Sequence, residues 1–135
     1  MKVILLAKQG KPGVEKASRV LNELFDRVVC YISPMGTPFP KGLLNMKPDI
    51  LISYLSPWIV PECVLANTKF WNLNFHPGPP EYPGTGCYNF ALYHGVRSYG
   101  VTAHVMEPKV DTGNIVGVRR FKVSARETVQ TLAEK

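Results

Sequence analysis

Cysteine is scarce in this sequence: there are three, Cys30, Cys63 and Cys87, odd in number, widely spaced and without a Cys-x-x-Cys pair. That pattern fits neither a disulfide framework nor a zinc site, so no metal centre is expected, and free thiols of this kind belong in a reducing cytoplasm. Long apolar runs are missing too. The first one, Val3-Ile4-Leu5-Leu6-Ala7, breaks at Lys8, too short for a bilayer-spanning helix or a signal-peptide core. It reads as a buried first strand, and membrane insertion is not expected. No internal repeat or low-complexity linker is visible. Charge of one sign is not concentrated: 16 Lys and Arg stand against 10 Asp and Glu, and only Arg119, Arg120, Lys122 and Arg126 form a modest cluster. A scattered net charge of +6 makes a solvated surface compatible with an anionic substrate, and it does not by itself point to nucleic acid.

What is present is an ordinary globular composition, 45% hydrophobic and 19% charged over 135 residues. That is enough to bury one continuous core and too little for a second full domain, so residues 1–135 are read as one domain. Strand-like runs at 2–7, 28–32, 49–54 and 70–75 are rich in β-branched and aromatic residues. Those that are apolar throughout suit strands covered on both faces. Between the first two, Val14, Ala17, Val20, Leu21, Leu24 and Phe25 recur at helical spacing. A turn or two of helix is expected at Gly42–Met46, a short helix over Pro57–Ala66 and another from Cys87 to about His94. Two more strands are expected at 99–106 and 114–123, and Ser124-x-x-Glu127 reads as the capping box of a last helix. The alternation predicts an α/β fold, Rossmann-like, with a mainly parallel sheet, flanking helices and ligands beyond the carboxyl ends of the strands.

Asn74 and His76 lie two residues apart where a strand runs into a Pro/Gly-dense loop, so the strand period points both side chains to one side. Alone, that pair suits a hydrogen-bonded turn as well as a site. Asp111, in Val110-Asp111-Thr112-Gly113, is likewise an adequate turn residue. The combination is more specific: Asn74-x-His76-Pro77, Tyr82-Pro83-Gly84, Gly100-x-Thr102-x-His104 and Asp111-x-Gly113-x-Ile115 occur in that order. From about Asp49 to Ile115 the series resembles the catalytic half of the formyltransferase family, which includes glycinamide ribonucleotide transformylase, methionyl-tRNA formyltransferase, sugar N-formyltransferases and formyltetrahydrofolate deformylase.

The resemblance implies a Rossmann-like domain, 10-formyltetrahydrofolate as formyl donor, and Asn74, His76 and Asp111 as the catalytic trio. An amine attacking a formyl carbon builds negative charge on the formyl oxygen, so the site needs donors aimed there and a route for the amine proton. Asn74 donates through its amide. His76 donates when protonated, with Asp111 as the carboxylate that supports it and relays the proton. Thr102 and His104 match the family's Thr-x-His, and His104 is expected to hold the catalytic loop rather than touch substrate. By resemblance, Tyr54, Leu55, Trp58, Ile59, Val60 and Val110 edge the folate pocket, with backbone groups meeting the pterin. The loop leading to Asp111 edges the same pocket. Pro79, Tyr82, Gly84 and Asn89 are the candidates for acceptor contacts, with Asn89 to Tyr93 and the first loop as walls.

The sequence departs from the better-known members in two places. His76 is followed by the stiff Pro77-Gly78-Pro79-Pro80-Glu81 in place of a Ser-Leu-Leu-Pro stretch, and Lys8-Gln9-Gly10-Lys11-Pro12-Gly13 does not match the phosphate-holding loop of glycinamide ribonucleotide transformylase. Tyr82-Pro83-Gly84 also lacks the arginine typical of methionyl-tRNA formyltransferases. The favoured acceptor is therefore a small-molecule amine, a nucleotide-linked amino sugar. Homodimerisation and truncation at the C-terminus are carried as expectations. The competing readings are a formyltetrahydrofolate hydrolase, a methionyl-tRNA or glycinamide ribonucleotide formyltransferase, a non-catalytic folate-binding fragment, and a metal-dependent hydrolase built on His76, His104 and Asp111.

Overall fold

The computed structural model describes residues Met1–Lys135. Six strands form one sheet in the order β2-β1-β3-β4-β5-β6. In chain order the elements are β1 (Lys2–Lys8), α1 (Val14–Leu24), β2 (Arg27–Ser33), a 3-10 turn (Lys41–Asn45), β3 (Ile50–Tyr54), α2 (Glu62–Asn67), β4 (Trp71–His76), α3 (Cys87–Tyr93), β5 (Ser98–Val105), β6 (Ile115–Lys122) and α4 (Val129–Glu134). This is the α/β, Rossmann-like architecture that the alternating pattern predicts.

β1 is an interior strand, paired in parallel with β2 and β3, and Val3 to Ala7 are fully buried. Its continuous apolar run follows from having cover on both faces. Ile4 and Leu6 pack with Leu43, Leu51, Val60, Val64 and Leu65 on one face. Val3, Leu5 and Ala7 pack with Ile52 and Val14 on the other, under α1. Burial of each large aliphatic side chain contributes about 2 kcal/mol. A third cluster, Ala91, Tyr99 and Leu132, joins α3 and α4 to β5.

The sheet is parallel through β4, then reverses: β5 is antiparallel to β4, and β6 to β5. The chain leaves β4 through the loop 77–86, and α3 is the only helix before β5. The chain re-enters the sheet near the carboxyl end of β4 and runs back down.

Two helix boundaries differ from the sequence expectation. The segment 57–66 is helical only from Glu62, because Pro61 holds an extended φ/ψ of −60°/144° at the N-cap; Trp58 to Val60 are irregular and turn toward the cleft. The capping box at Ser124 and Glu127 does not open a helix. Thr128 is the N-cap of α4 and exchanges bonds with Thr131, while Glu127 is drawn to Lys135 and Thr131.

Candidate functional site at the carboxyl ends of β3 and β4

Strand register assembles the polar centre. Ser53 on β3 stands opposite Asn74 on β4, and Asn74 opposite His104 on β5; one step along, His76 faces Thr102. Ser53, Thr102 and His104 are the buried polar residues named in the core, and all lie on the sheet face that carries α2. The row leads into a cleft of about 730 Å3, within the range of pockets that enclose a drug-sized ligand.

At its floor, hydrogen bonds join the candidate residues. Asn74 Nδ2 lies 3.1 Å from His104 Nε2, and the same nitrogen lies 3.3 Å from Asp111 Oδ1. His104 Nδ1 donates to the carbonyl of Val105 at 2.9 Å. With Nδ1 carrying a proton, a neutral His104 accepts from Asn74 at Nε2; a protonated one donates to Asp111 there. Asn74 keeps its second amide N–H for the cleft in the first case. The ring of His76 donates from Nε2 to the backbone carbonyl of Tyr82 at 2.7 Å, which leaves its other nitrogen without a partner in the protein.

The expected pairing of Asp111 with His76 is therefore corrected. The carboxylate pairs with His104, because the loop after β5 folds back beside its own strand: Val105 N–H bonds the carbonyl of Asn114. His104 thus stands between Asn74 and Asp111. Asn74, His76, His104 and Asp111 all line the cleft. Thr102 does not; its hydroxyl donates to the carbonyl of Gly78 at 2.7 Å and fixes the proline-rich loop. No group of three or more His, Cys, Asp and Glu is placed to hold a metal ion.

Backbone strain gathers here. Leu55 and Asp111 are the two non-glycine residues with positive φ, 50° and 57°, and both line the cleft. Each such conformation costs about 1–3 kcal/mol. Glycines are required where chains approach: a Cβ on Gly113 would sit 1.8 Å from the carbonyl oxygen of Val105, and one on Gly78 would meet the His76 ring at 2.9 Å.

The candidate ligand residues divide. Leu55, Trp58, Ile59, Val60 and Val110 line the cleft, as do Gly84 and Asn89 at its other end. Tyr54 lies elsewhere: its ring packs with Phe75 on the α1 face and its hydroxyl bonds the carbonyl of Pro12 at 3.0 Å. Tyr82 packs its ring on Tyr99 and bonds His94, so its backbone, through His76, is its link to the site. Pro79 is buried and borders a smaller neighbouring cavity. Lys11 of the first loop and Glu107 of the loop leading to Asp111 line the cleft as well, and sequence reasoning missed Tyr88. Met106 also lines the cleft; two residues beyond His104, it continues the alternation of Thr102 and His104, which was a usable signal for it. Burial pushes the Tyr88 phenol up to about 12, with Cys87 adding to the effect; Tyr88 is a neutral hydroxyl on that wall.

A Rossmann-like α/β domain with a ligand cleft and an amide–imidazole–carboxylate chain at its strand ends is the class that fold and site define. The family description "Formyl transferase" matches residues 39–135, and the chain belongs to that family. It is 33% identical over 107 residues to the bifunctional polymyxin resistance protein ArnA of Wigglesworthia glossinidia brevipalpis, covering 72% of this chain and 16% of that protein. It is 33% identical over 96 residues to a methionyl-tRNA formyltransferase of Hydrogenobaculum sp. (strain Y04AAS1), covering 70% of this chain and 32% of that one. The chain thus spans a third or less of the length of these two relatives. Among solved structures it superposes with TM-score 0.75 on an N-formyltransferase from Helicobacter canadensis in complex with folinic acid and dTDP-3-aminofucose, at 19% identity over 98% of this chain and 57% of that one. Similarity at that identity supports the fold.

Proposed function

We propose that this chain catalyses transfer of the formyl group of 10-formyltetrahydrofolate to a small-molecule amine, a nucleotide-linked amino sugar. The observation that carries the reading is the chain Asn74–His104–Asp111 at the floor of the cleft, with His76 beside it. The apolar wall of Trp58, Ile59 and Met106 suits a flat pterin, and the irregular 55–60 backbone suits its donor and acceptor edge. The donor supplies the activated formyl carbon. Asn74, with one amide N–H held by His104, offers the other to the oxygen on which charge develops. His76, its ring set by the Tyr82 carbonyl, donates to the same oxygen from Nδ1 when protonated. Asp111 accepts the amine proton. The folinic acid and amino-sugar nucleotide carried by the Helicobacter canadensis relative support this choice of donor and acceptor, as do the departures in the first loop and at Tyr82-Pro83-Gly84. The three cysteines, all free thiols, suit a cytoplasmic setting.

The test is incubation with 10-formyltetrahydrofolate and a panel of amines, following tetrahydrofolate release and product mass. Formylation of a nucleotide-linked amino sugar is the expected result. Formate release without any amine would make the chain a hydrolase, and binding without turnover a folate-binding module; either would overturn the reading.

A further inference from the structure

A second cavity of about 90 Å3 lies against the main cleft, and His76, His104 and Asp111 line both. The smaller one is otherwise bounded by Thr102, Gly113, Ile115 and the prolines of the loop after β4. Its inner end is polar, with two imidazoles, a carboxylate and a hydroxyl. Its rim is exposed at Pro80, Pro83 and Ile115. At about 30 Å3 per molecule such a space holds about three waters, and its polar groups supply the partners that ordered water requires.

We propose that this cavity is the proton exit of the site, a short water-filled passage from Asp111 to bulk solvent. The inference rests on the formyl-transfer reading. An alkyl amine, with a pKa of about 10 for a lysine-like group, reaches the enzyme as R–NH3+ and must lose one proton before its lone pair can attack. Asp111 takes that proton on the cleft side and releases it to water on the other. In the transfer itself the bond from the amine nitrogen to the formyl carbon forms and the bond from that carbon to the donor nitrogen breaks. A second amine proton ends on the donor nitrogen. One proton therefore leaves per turnover, while both substrates occupy the main cleft. The smaller cavity is the side on which the carboxylate still meets water, and the rigid Pro77–Pro83 loop, pinned by Thr102 to Gly78, keeps the passage open beside it.

Ile115 is half exposed at the rim; its neighbour Val116, the extra residue of the bulge in β6, is half exposed and does not line the cavity. The experiment compares the full chain with I115F, which plugs the passage, and V116F, which loads the same edge strand without touching it; P80F is a second plug should I115F fail to fold. In I115F or P80F, kcat falls about tenfold or more and the solvent deuterium isotope effect on kcat grows, while donor affinity is unchanged; V116F behaves as wild type. Wild-type kcat in a folded plug variant overturns the proposal. So does a slower plug variant with an unaltered isotope effect, the signature of a displaced Asp111. Both of those results leave formyl transfer standing, whereas a wild-type chain that formylates no amine overturns the parent reading and the exit together.

Discussion

His104 Nε2 sits between an amide donor and a carboxylate, at 3.1 and 3.3 Å, and it is the only direct link that joins Asn74 to Asp111. Substituting Phe keeps the bulk in a buried position and removes both contacts. Because misplacement of reacting groups by about 1 Å costs on the order of 100-fold, His104→Phe is expected to lower kcat by about that factor with donor affinity little changed, measured by steady-state turnover and equilibrium titration. At Gly113 the argument is steric. Gly113→Ala forces the Asp111 loop from the Val105 carbonyl at a cost of about 2 kcal/mol, and the expected result is a lower melting temperature together with loss of turnover. At this scale the sequence was informative about which residue types gather, since Asn74, His76, His104 and Asp111 reach one cleft. It was not informative about pairing. Whether Asp111 meets His76 or His104 depends on how the loop after β5 folds back, a non-local bond from Val105 to Asn114. Tyr54 shows the same limit: one position from Ser53, it points to the other face.

The short elements were the hardest to read. α4 is held by one buried side chain, Leu132 against Tyr99 and Ala91, and by the Thr128–Thr131 cap. Leu132→Ala is expected to cost about 2–5 kcal/mol and Thr128→Ala about 1 kcal/mol, both checked by denaturant melts. The pattern at Ser124 and Glu127 matches the capping motif in sequence, but in the fold Glu127 bonds Lys135 and Thr131, and Thr128 caps the helix. Strands β1 and β3 were legible because a parallel strand buried on both faces is written as an apolar run; β2, at the sheet edge, and β4, with polar residues at alternate positions, are less buried. The reversal at β5 was not legible, since no local pattern encodes the direction in which a strand joins the sheet.

At the scale of the molecule, tyrosines pack the junction of α3, β5 and the proline-rich loop, with Tyr99 against Tyr82, Tyr88 and Phe121. Burial raises the Tyr88 phenol from 10.0 to about 12 and also raises Tyr99. A folded-state pKa above the unfolded value favours the protonated form on folding. That stabilisation is complete below pH 10 and is lost as pH rises through about 12. Thermal melts across that window should show falling stability, with phenolate absorbance from the buried tyrosines appearing late. The central claim, formyl transfer by the residues joined at the cleft floor, is tested most directly by turnover of Asn74→Ala and Asp111→Asn with 10-formyltetrahydrofolate and a nucleotide-linked amino sugar. Loss of about 100-fold or more in kcat in each variant, with donor binding retained, is the predicted result. Near wild-type turnover in either would contradict it.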